Sequence, residues 1–178
     1  MTFRTGHRVV VAVAVLWAMS LGAIVPRARA QNEAAHQQFL FAYKLLQRDD
    51  HDTAARAFDD FLNQYPKDEK RGDALYYRAL IAYQQQDHEM AVDLLREVPM
   101  PKYVPAYKIN YLRGQVHVEM EHFDHALAAL EQIDLKEVED AVFRASVHQL
   151  LGATYYRLEN FGEAADSLQK ASAIDWPG

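Results

Sequence analysis

The chain has 178 residues, 50% of them hydrophobic and 25% charged, with 19 basic side chains, 25 acidic side chains and no cysteine. The lack of cysteine excludes a disulfide framework, a cysteine nucleophile and a lipid-modified cysteine. The net charge of −6, with no basic stripe in the sequence, disfavours nucleic acid as a partner, because phosphates repel an acidic surface.

The segment from Met1 to Ala30 has the layout of a secretory signal peptide. It contains four basic side chains and no acidic one, runs apolar from Val9 to Val25, and closes on Ala28-Arg29-Ala30. This small-x-small end predicts cleavage before Gln31, which leaves 15 basic against 25 acidic residues in the mature chain. The alternative is a retained membrane anchor, because an apolar run of roughly 17 residues approaches the lower limit for crossing a bilayer.

Apolar spacing predicts four pairs of helices along the rest of the chain and no strand. The expected pairs are Ala34–Arg48 with Thr53–Gln64, Gly72–Gln86 with Glu89–Glu97, Ala106–Glu121 with Asp124–Ile133, and Val138–Leu158 with Gly162–Ile174. The turns within the pairs are polar. Their Asp and Asn side chains can accept hydrogen bonds from the free amides at the start of the second helix.

One pattern of small and large residues recurs in all four pairs. An alanine is followed four residues later by Phe or Leu: Ala54/Phe58, Ala91/Leu95, Ala126/Leu130 and Ala164/Leu168. A small residue precedes each alanine by twelve positions (Ala42, Ala79, Gly114, Gly152), and a ring precedes it by three (His51, His88, Phe123, Phe161). Small side chains let two helices approach closely, while the large one fills space toward the next pair. The nearly constant interval between the alanines, about 37 residues, predicts helix pairs stacked on copies of themselves.

This pattern resembles the tetratricopeptide repeat, a helix–turn–helix unit of about 34 residues. The resemblance implies an all-α, right-handed α-solenoid of about four units, near residues 35–68, 72–104, 107–140 and 145–178. The segments Ala54–Phe58, Phe61–Pro66 and Asp73–Ala79 resemble units of exported bacterial repeat proteins, namely the periplasmic cell-division coordinator and the outer-membrane assembly lipoprotein. The anchoring cysteine of the lipoprotein has no counterpart in this chain.

The same resemblance implies a concave groove lined by the first helix of each pair. The side chains that would point into it are Phe39, Tyr43, Tyr76, Tyr83, Tyr111, Gln115, Tyr156 and Arg157. Tyrosine joins a large apolar ring to a hydrogen-bonding hydroxyl, a combination that suits protein interfaces. The alternative is that several of these rings only pack one first helix against the next.

A second candidate site is the stretch from His117 to His125, which holds three imidazoles and three carboxylates. Zinc or another divalent ion accepts such ligands. The spacing argues against a metal site, because His117 and His122 are five residues apart and His125 follows across a predicted turn. The cluster is kept as the alternative, and no metal ligand is assigned.

We therefore expect a non-catalytic scaffold without a cofactor, because nucleophile motifs and phosphate-binding glycine loops are missing from the sequence. Its expected partner is a protein or peptide segment, with no nucleic acid and no membrane insertion after signal cleavage. The leader predicts an exported protein, periplasmic or secreted. The alternatives are a metal-binding accessory protein centred on His117, His122 and His125, and a membrane-tethered assembly factor. Oligomerisation through the C-terminal end, near Trp176, stays open.

Overall fold

The part of the chain that the computed structural model describes, residues 29–99 and 101–173, is helical and contains no strand. The described part of helix α1 covers residues 29–46. The helices that follow are α2 (His51–Gln64), α3 (Arg71–Gln84), α4 (His88–Glu97), α5 (Ala106–Glu119), α6 (Phe123–Leu130), α7 (Ala141–Arg157) and α8 (Phe161–Ser172). The predicted all-α fold is confirmed. Residues 1–28 of the predicted leader and the C-terminal Trp176 lie outside the described residues.

Successive helices pack on one another in the order of the chain. The most extensive packing is within the pairs α3–α4, α5–α6 and α7–α8, followed by the contacts from α2 to α3, α4 to α5 and α6 to α7. First helices also meet, α3 with α5 and α5 with α7. Within the described residues, the extensive contacts join each helix pair to the next pair along the chain, which is the arrangement of a solenoid and confirms the predicted α-solenoid.

The repeated small residues lie where the two helices of a pair approach each other. Ala54, Ala91 and Ala126 have no exposed surface, and Ala164 is 3% exposed. A β-carbon added at Gly114 would lie 2.5 Å from Cδ2 of Leu130, and one added at Gly152 would lie 2.7 Å from Cγ of Leu168. The glycines of the third and fourth pairs therefore leave room for the leucine that follows the repeated alanine by four residues.

The two helices of every pair are joined by the same left-handed turn. The residue with positive φ is Asp49 (58°), Gln86 (64°), Glu121 (58°) or Glu159 (61°), and these positions repeat at the spacing of the alanines. In the second pair the Gln86 amide donates to the Tyr83 carbonyl at 3.0 Å, and the Asp87 amide donates to the Ala82 carbonyl at 2.9 Å. These two bonds define a Schellman motif, which normally places glycine at the positive-φ position.

Capping by side chains follows the prediction in two of the four turns. Asp50 accepts from the Thr53 amide at 3.2 Å, and Asp87 accepts from the Met90 amide at 3.1 Å. Asn160 was expected to act in the same way, but its side chain makes no capping hydrogen bond.

The connection between the second and third pairs is held by a buried carboxylate. Asp73 has no exposed surface, and its oxygens accept the backbone amides of Lys102 (3.3 Å), Tyr103 (2.9 Å) and Val104 (2.7 Å). Lys102 also forms an ion pair with Glu69. The connection between the second and third pairs, for which the sequence predicts no helix, is thus fixed to the start of α3.

The connection between the third and fourth pairs is longer than predicted. Helix α6 ends at Leu130 instead of Ile133, and α7 begins at Ala141 instead of Val138. Asp140 sets the new boundary, because its carboxylate accepts the Val142 amide at 2.9 Å and a second amide of the first turn. Val138 is 1% exposed and packs into the core as part of the connection.

Helix α1 is polar at two positions that are buried in the other first helices. Gln37 corresponds by the repeat spacing to Ala74, Ile109 and Val147, and Lys44 corresponds to Ile81, Val116 and Thr154. All six counterparts are buried, whereas Gln37 and Lys44 are exposed. A terminal unit of a stacked array needs polar residues on its outer face to stay soluble. Gln37 and Lys44 are such residues on α1.

Replacing Gly114 by alanine is expected to destabilise the fold by about 1–3 kcal/mol, because Leu130 is buried and cannot move away from the new methyl group. The matched control is Gly162→Ala, since nothing lies within 4 Å of a β-carbon there. The control is expected to stabilise helix α8 by about 1 kcal/mol. Urea denaturation followed by circular dichroism measures both changes, and equal stability of the two variants would contradict the packing.

Candidate functional site

Two of the predicted groove residues belong to the core. Phe39 is 7% exposed and packs edge-on against Phe58 and Phe61, with ring centres 6.0 Å and 5.6 Å apart. Tyr76 is 9% exposed, and burial, with a smaller contribution from Tyr107, raises its pKa to about 12. Neither ring is available to a partner, so the prediction is corrected for both. The sequence pattern predicts which face of a first helix a residue lies on. How much of that face is buried depends on the neighbouring helix pair, which the pattern within one repeat does not describe.

Three other predicted tyrosines are half-buried on the first helices. The ring of Tyr43 lies 5.0 Å from that of Tyr77 on α3, and the ring of Tyr111 lies 4.9 Å from that of Phe143 on α7. Burial raises the pKa of Tyr83, with a further contribution from Glu119 on α5. Tyr43 and Tyr111 therefore pack one first helix against the next, while the ring of Tyr83 lies 5.9 Å from that of His88 on α4. All three rings expose only part of their surface.

Tyr77, which is not among the predicted groove residues, is the centre of the aromatic packing between the first two pairs. Its ring lies within 6.3 Å of the rings of Phe39, Tyr43, Phe58 and Tyr76. Burial and the neighbouring tyrosine hydroxyls raise its pKa above the ordinary range. Tyr76 and Tyr77 are adjacent in the sequence, which indicates an aromatic cluster at this point. The sequence does not tell which of the two rings packs between the helices.

The most exposed predicted residues lie at the turns of the third and fourth pairs. Tyr156 is 62% exposed and packs edge-on against Phe161, which is 58% exposed, with ring centres 5.6 Å apart. Arg157 lies 4.4 Å above the ring of Phe123 and donates to the Glu121 carboxylate at 3.4 Å. We call Tyr156, Arg157, Phe161 and Phe123 the aromatic edge. Phe161 is one of the repeated rings that precede the alanines by three residues, and its exposure adds it to the surface.

Gln115 is partly exposed on α5. The predicted groove residues thus divide into a buried group, a half-buried group between first helices, and the aromatic edge. Burial raises the pKa of Tyr111, and the nearby Tyr83 raises it further, whereas Tyr43 belongs to the aromatic cluster of the first two pairs. The predicted set is therefore a series of neighbouring rings on the first helices instead of one patch.

A separate open groove lies between the second and third pairs. Its volume is about 780 Å³. It is lined by side chains of α4, α5 and the turn into α6: Glu89, Val92, Asp93, Leu95, Arg96, Arg113, Val116, His117, Met120, His122 and His125. We call it the histidine groove. It holds both basic and acidic groups over an apolar floor.

The three histidine rings lie close together although their sequence spacing suggested otherwise. The ring centres of His117 and His125 are 5.3 Å apart, and His122 lies 6.0 Å from each of them. The left-handed turn at Glu121 reverses the chain and brings the start of α6 beside the end of α5. Within residues 29–99 and 101–173, however, no three His, Cys, Asp or Glu side chains are placed as the ligands of one metal ion.

His117 is the most enclosed of the three imidazoles. Its Nδ1 atom is buried without a hydrogen-bond partner. Burial lowers the pKa of His117, and the nearby charges of His125, His122, Arg113 and Arg96 lower it further. The ring is therefore held in its neutral form, which leaves a nitrogen lone pair available at neutral pH.

The repeat pattern, the stacked helix pairs and the recurring turn agree with one family of proteins. Residues 39–103 match the tetratricopeptide repeat family. The match covers the first two helix pairs and agrees with the repeat pattern of the sequence. Proteins of this fold are typically interaction scaffolds without catalytic activity. No protein with a curated description matches the chain in sequence.

Solved structures of similar architecture include several of MamA. The structure of MamA from residue 41 to its end, from Desulfovibrio magneticus RS-1, superimposes with a TM-score of 0.66 at 22% identity, covering 79% of this chain and 75% of that chain. A second MamA structure gives 0.64 at 20% identity with coverage of 82% and 74%, and a third gives 0.65 at 18% with 78% and 76%. At these identities the likeness shows a shared fold.

Helices long and apolar enough to cross a bilayer are not found among the residues that the structure describes.

Proposed function

We propose that this tetratricopeptide repeat chain is a non-catalytic scaffold that binds a protein or peptide segment along its first helices and at the aromatic edge. The observation that carries the proposal is the exposure of Tyr156 and Phe161, two large rings on the surface of an otherwise regular solenoid. Folding of the pair does not require rings at these positions to face water. Exposed aromatic rings beside an arginine are the side chains that most often anchor a protein interface.

The half-buried tyrosines extend this surface along the first helices. Tyr83 and Tyr111 keep part of each ring accessible, and Gln115 adds an amide on α5, four residues after Tyr111. A rigid aromatic ring loses little conformational entropy on binding, and its hydroxyl can accept or donate a hydrogen bond to a peptide backbone. An extended or helical segment that offers apolar side chains would suit this face.

Alanine replacement of Tyr156 is expected to reduce capture of the native partner about tenfold or more, because loss of an interface anchor costs about 2 kcal/mol. Tyr83→Ala is expected to weaken capture as well. The matched control is Tyr103→Ala, which removes a tyrosine that is 60% exposed but lies on the connection between the second and third pairs. Quantitative crosslinking in the envelope of the source cell measures the recovery of each variant.

Thermal unfolding checks that Tyr83→Ala is folded, since this ring is half-buried. Equal recovery from the wild type, both surface variants and the control would contradict binding at this face. A loss that Tyr103→Ala shares would place the partner elsewhere on the solenoid.

We further propose that the scaffold works in the cell envelope or outside the cell. The support is the leader of the sequence, with its basic start, apolar run and Ala28-Arg29-Ala30 end. The remaining alternative is a membrane-tethered assembly factor that keeps this segment.

The intact mass of the chain isolated from its source cell distinguishes the two locations. A mass that begins at Gln31 is expected, because signal peptidase cuts after a small-x-small end. A mass that includes Met1 to Ala30, found in the membrane fraction, would support the tethered form and contradict export of a free scaffold.

A further inference from the structure

We propose that the histidine groove binds one divalent transition-metal ion, such as Zn²⁺, through His117, His122 and His125. The proposal does not depend on partner binding at the tyrosines or at the aromatic edge, and it concerns a different set of residues. Three observations on the histidines support it: the proximity of the three rings, the unpartnered nitrogen of His117, and the replacement of a helix cap by His122. A fourth is the open groove at this junction, whose equivalents at the other two junctions are crossed by large side chains.

The repeat spacing shows which side chains occupy the equivalent space at the other two junctions between helix pairs. Between the first and second pairs, Arg78 fills this space, because it bonds to Asp59 at 3.0 Å and contacts the Met90 sulfur at 3.0 Å. Between the third and fourth pairs, Tyr155 crosses the space and donates to Glu131 at 2.8 Å. At the middle junction the histidine groove is open.

His122 replaces a residue that caps the second helix in two of the other three pairs. His122 stands at the helix-capping position, which is Asp50, Asp87 and Asn160 in the other three turns. It makes no capping hydrogen bond to α6. Loss of a good cap destabilises a helix, so the fold gains nothing from histidine at this position. A local rule broken without a structural benefit is a sign of function.

The ring positions suit a shared ion after small rotations. Three imidazoles bound to one zinc at about 2.0–2.1 Å have ring centres roughly 5 Å apart. The observed distances are 5.3 Å and twice 6.0 Å. The nitrogens do not converge on a point as the rings stand. His122 and His125 are both exposed, so rotation about their side-chain bonds meets little resistance.

The charged groups around the cluster are arranged so that the basic ones have other partners. Arg113 donates to the Leu95 carbonyl at 2.8 Å, and Arg96 donates to Asp93 at 2.9 Å. Glu89 lines the same groove and adds a negative charge. Neutral imidazoles suit Zn²⁺, Ni²⁺ and Cu²⁺, and water or a carboxylate from the groove completes the coordination.

The test is titration of the full, untagged chain with Co²⁺ at neutral pH, followed by displacement with Zn²⁺. Tetrahedral Co²⁺ absorbs visible light far more strongly than the hydrated ion. The absorption spectrum therefore shows both that the ion binds and that its coordination is tetrahedral. The expected result is one ion per chain and loss of the absorption when Zn²⁺ is added. The Zn²⁺ affinity follows from competition with a chromophoric chelator.

The decisive variant is His122→Asn, because asparagine is a good helix cap and a poor zinc ligand. We expect this variant to fold at least as stably as the wild type without metal, and to bind Zn²⁺ about tenfold or more weakly. His125→Ala is expected to weaken binding similarly. The control is His148→Ala, which removes a partly buried histidine on α7, outside the groove.

Wild-type affinity in His122→Asn or in His125→Ala would overturn the proposal, as would the absence of a tetrahedral Co²⁺ spectrum in the wild type. An equal loss in His148→Ala would assign the binding to unspecific histidine contacts and would overturn it too.

Discussion

The fold depends on a contact between a small residue on the first helix of each pair and the second helix that crosses it. In the third pair this contact is between Gly114 and Leu130, where no β-carbon fits. Close approach of the two helices allows the leucine to be buried, and buried apolar area is the main stabilising contribution to folding. Repetition of the contact in every unit stacks the pairs and sets the first helices side by side.

Stacking has two consequences for the surface. Rings on neighbouring first helices meet, as Tyr111 and Phe143 do, and they leave only part of their surface for a partner. Each junction between pairs also forms a space beside the second helices, which large side chains fill at two of the three junctions. The aromatic edge and the histidine groove are the places where individual residues depart from what stacking alone requires.

The helix pairs, their order and the contact at the repeated alanines could be predicted from the sequence, because these depend on residues within one repeat. The burial of Phe39 and Tyr76 could not, because the neighbouring pair covers them. The four left-handed turns carry no glycine, so their usual signal was missing. The spacing of the histidines along the sequence does not indicate a cluster, because the turn at Glu121 brings them together in space.

A double-mutant cycle between Gly114→Ala and Leu130→Ala tests the central contact most directly. Leu130→Ala alone should cost about 2–5 kcal/mol because it leaves a cavity. In that background the methyl group of Gly114→Ala has room, so the account predicts a favourable coupling of about 1 kcal/mol or more between the two changes. If the destabilisation of the double variant equals the sum of the two single changes to within about 0.5 kcal/mol, the two residues do not limit each other. That result would contradict the proposed packing contact.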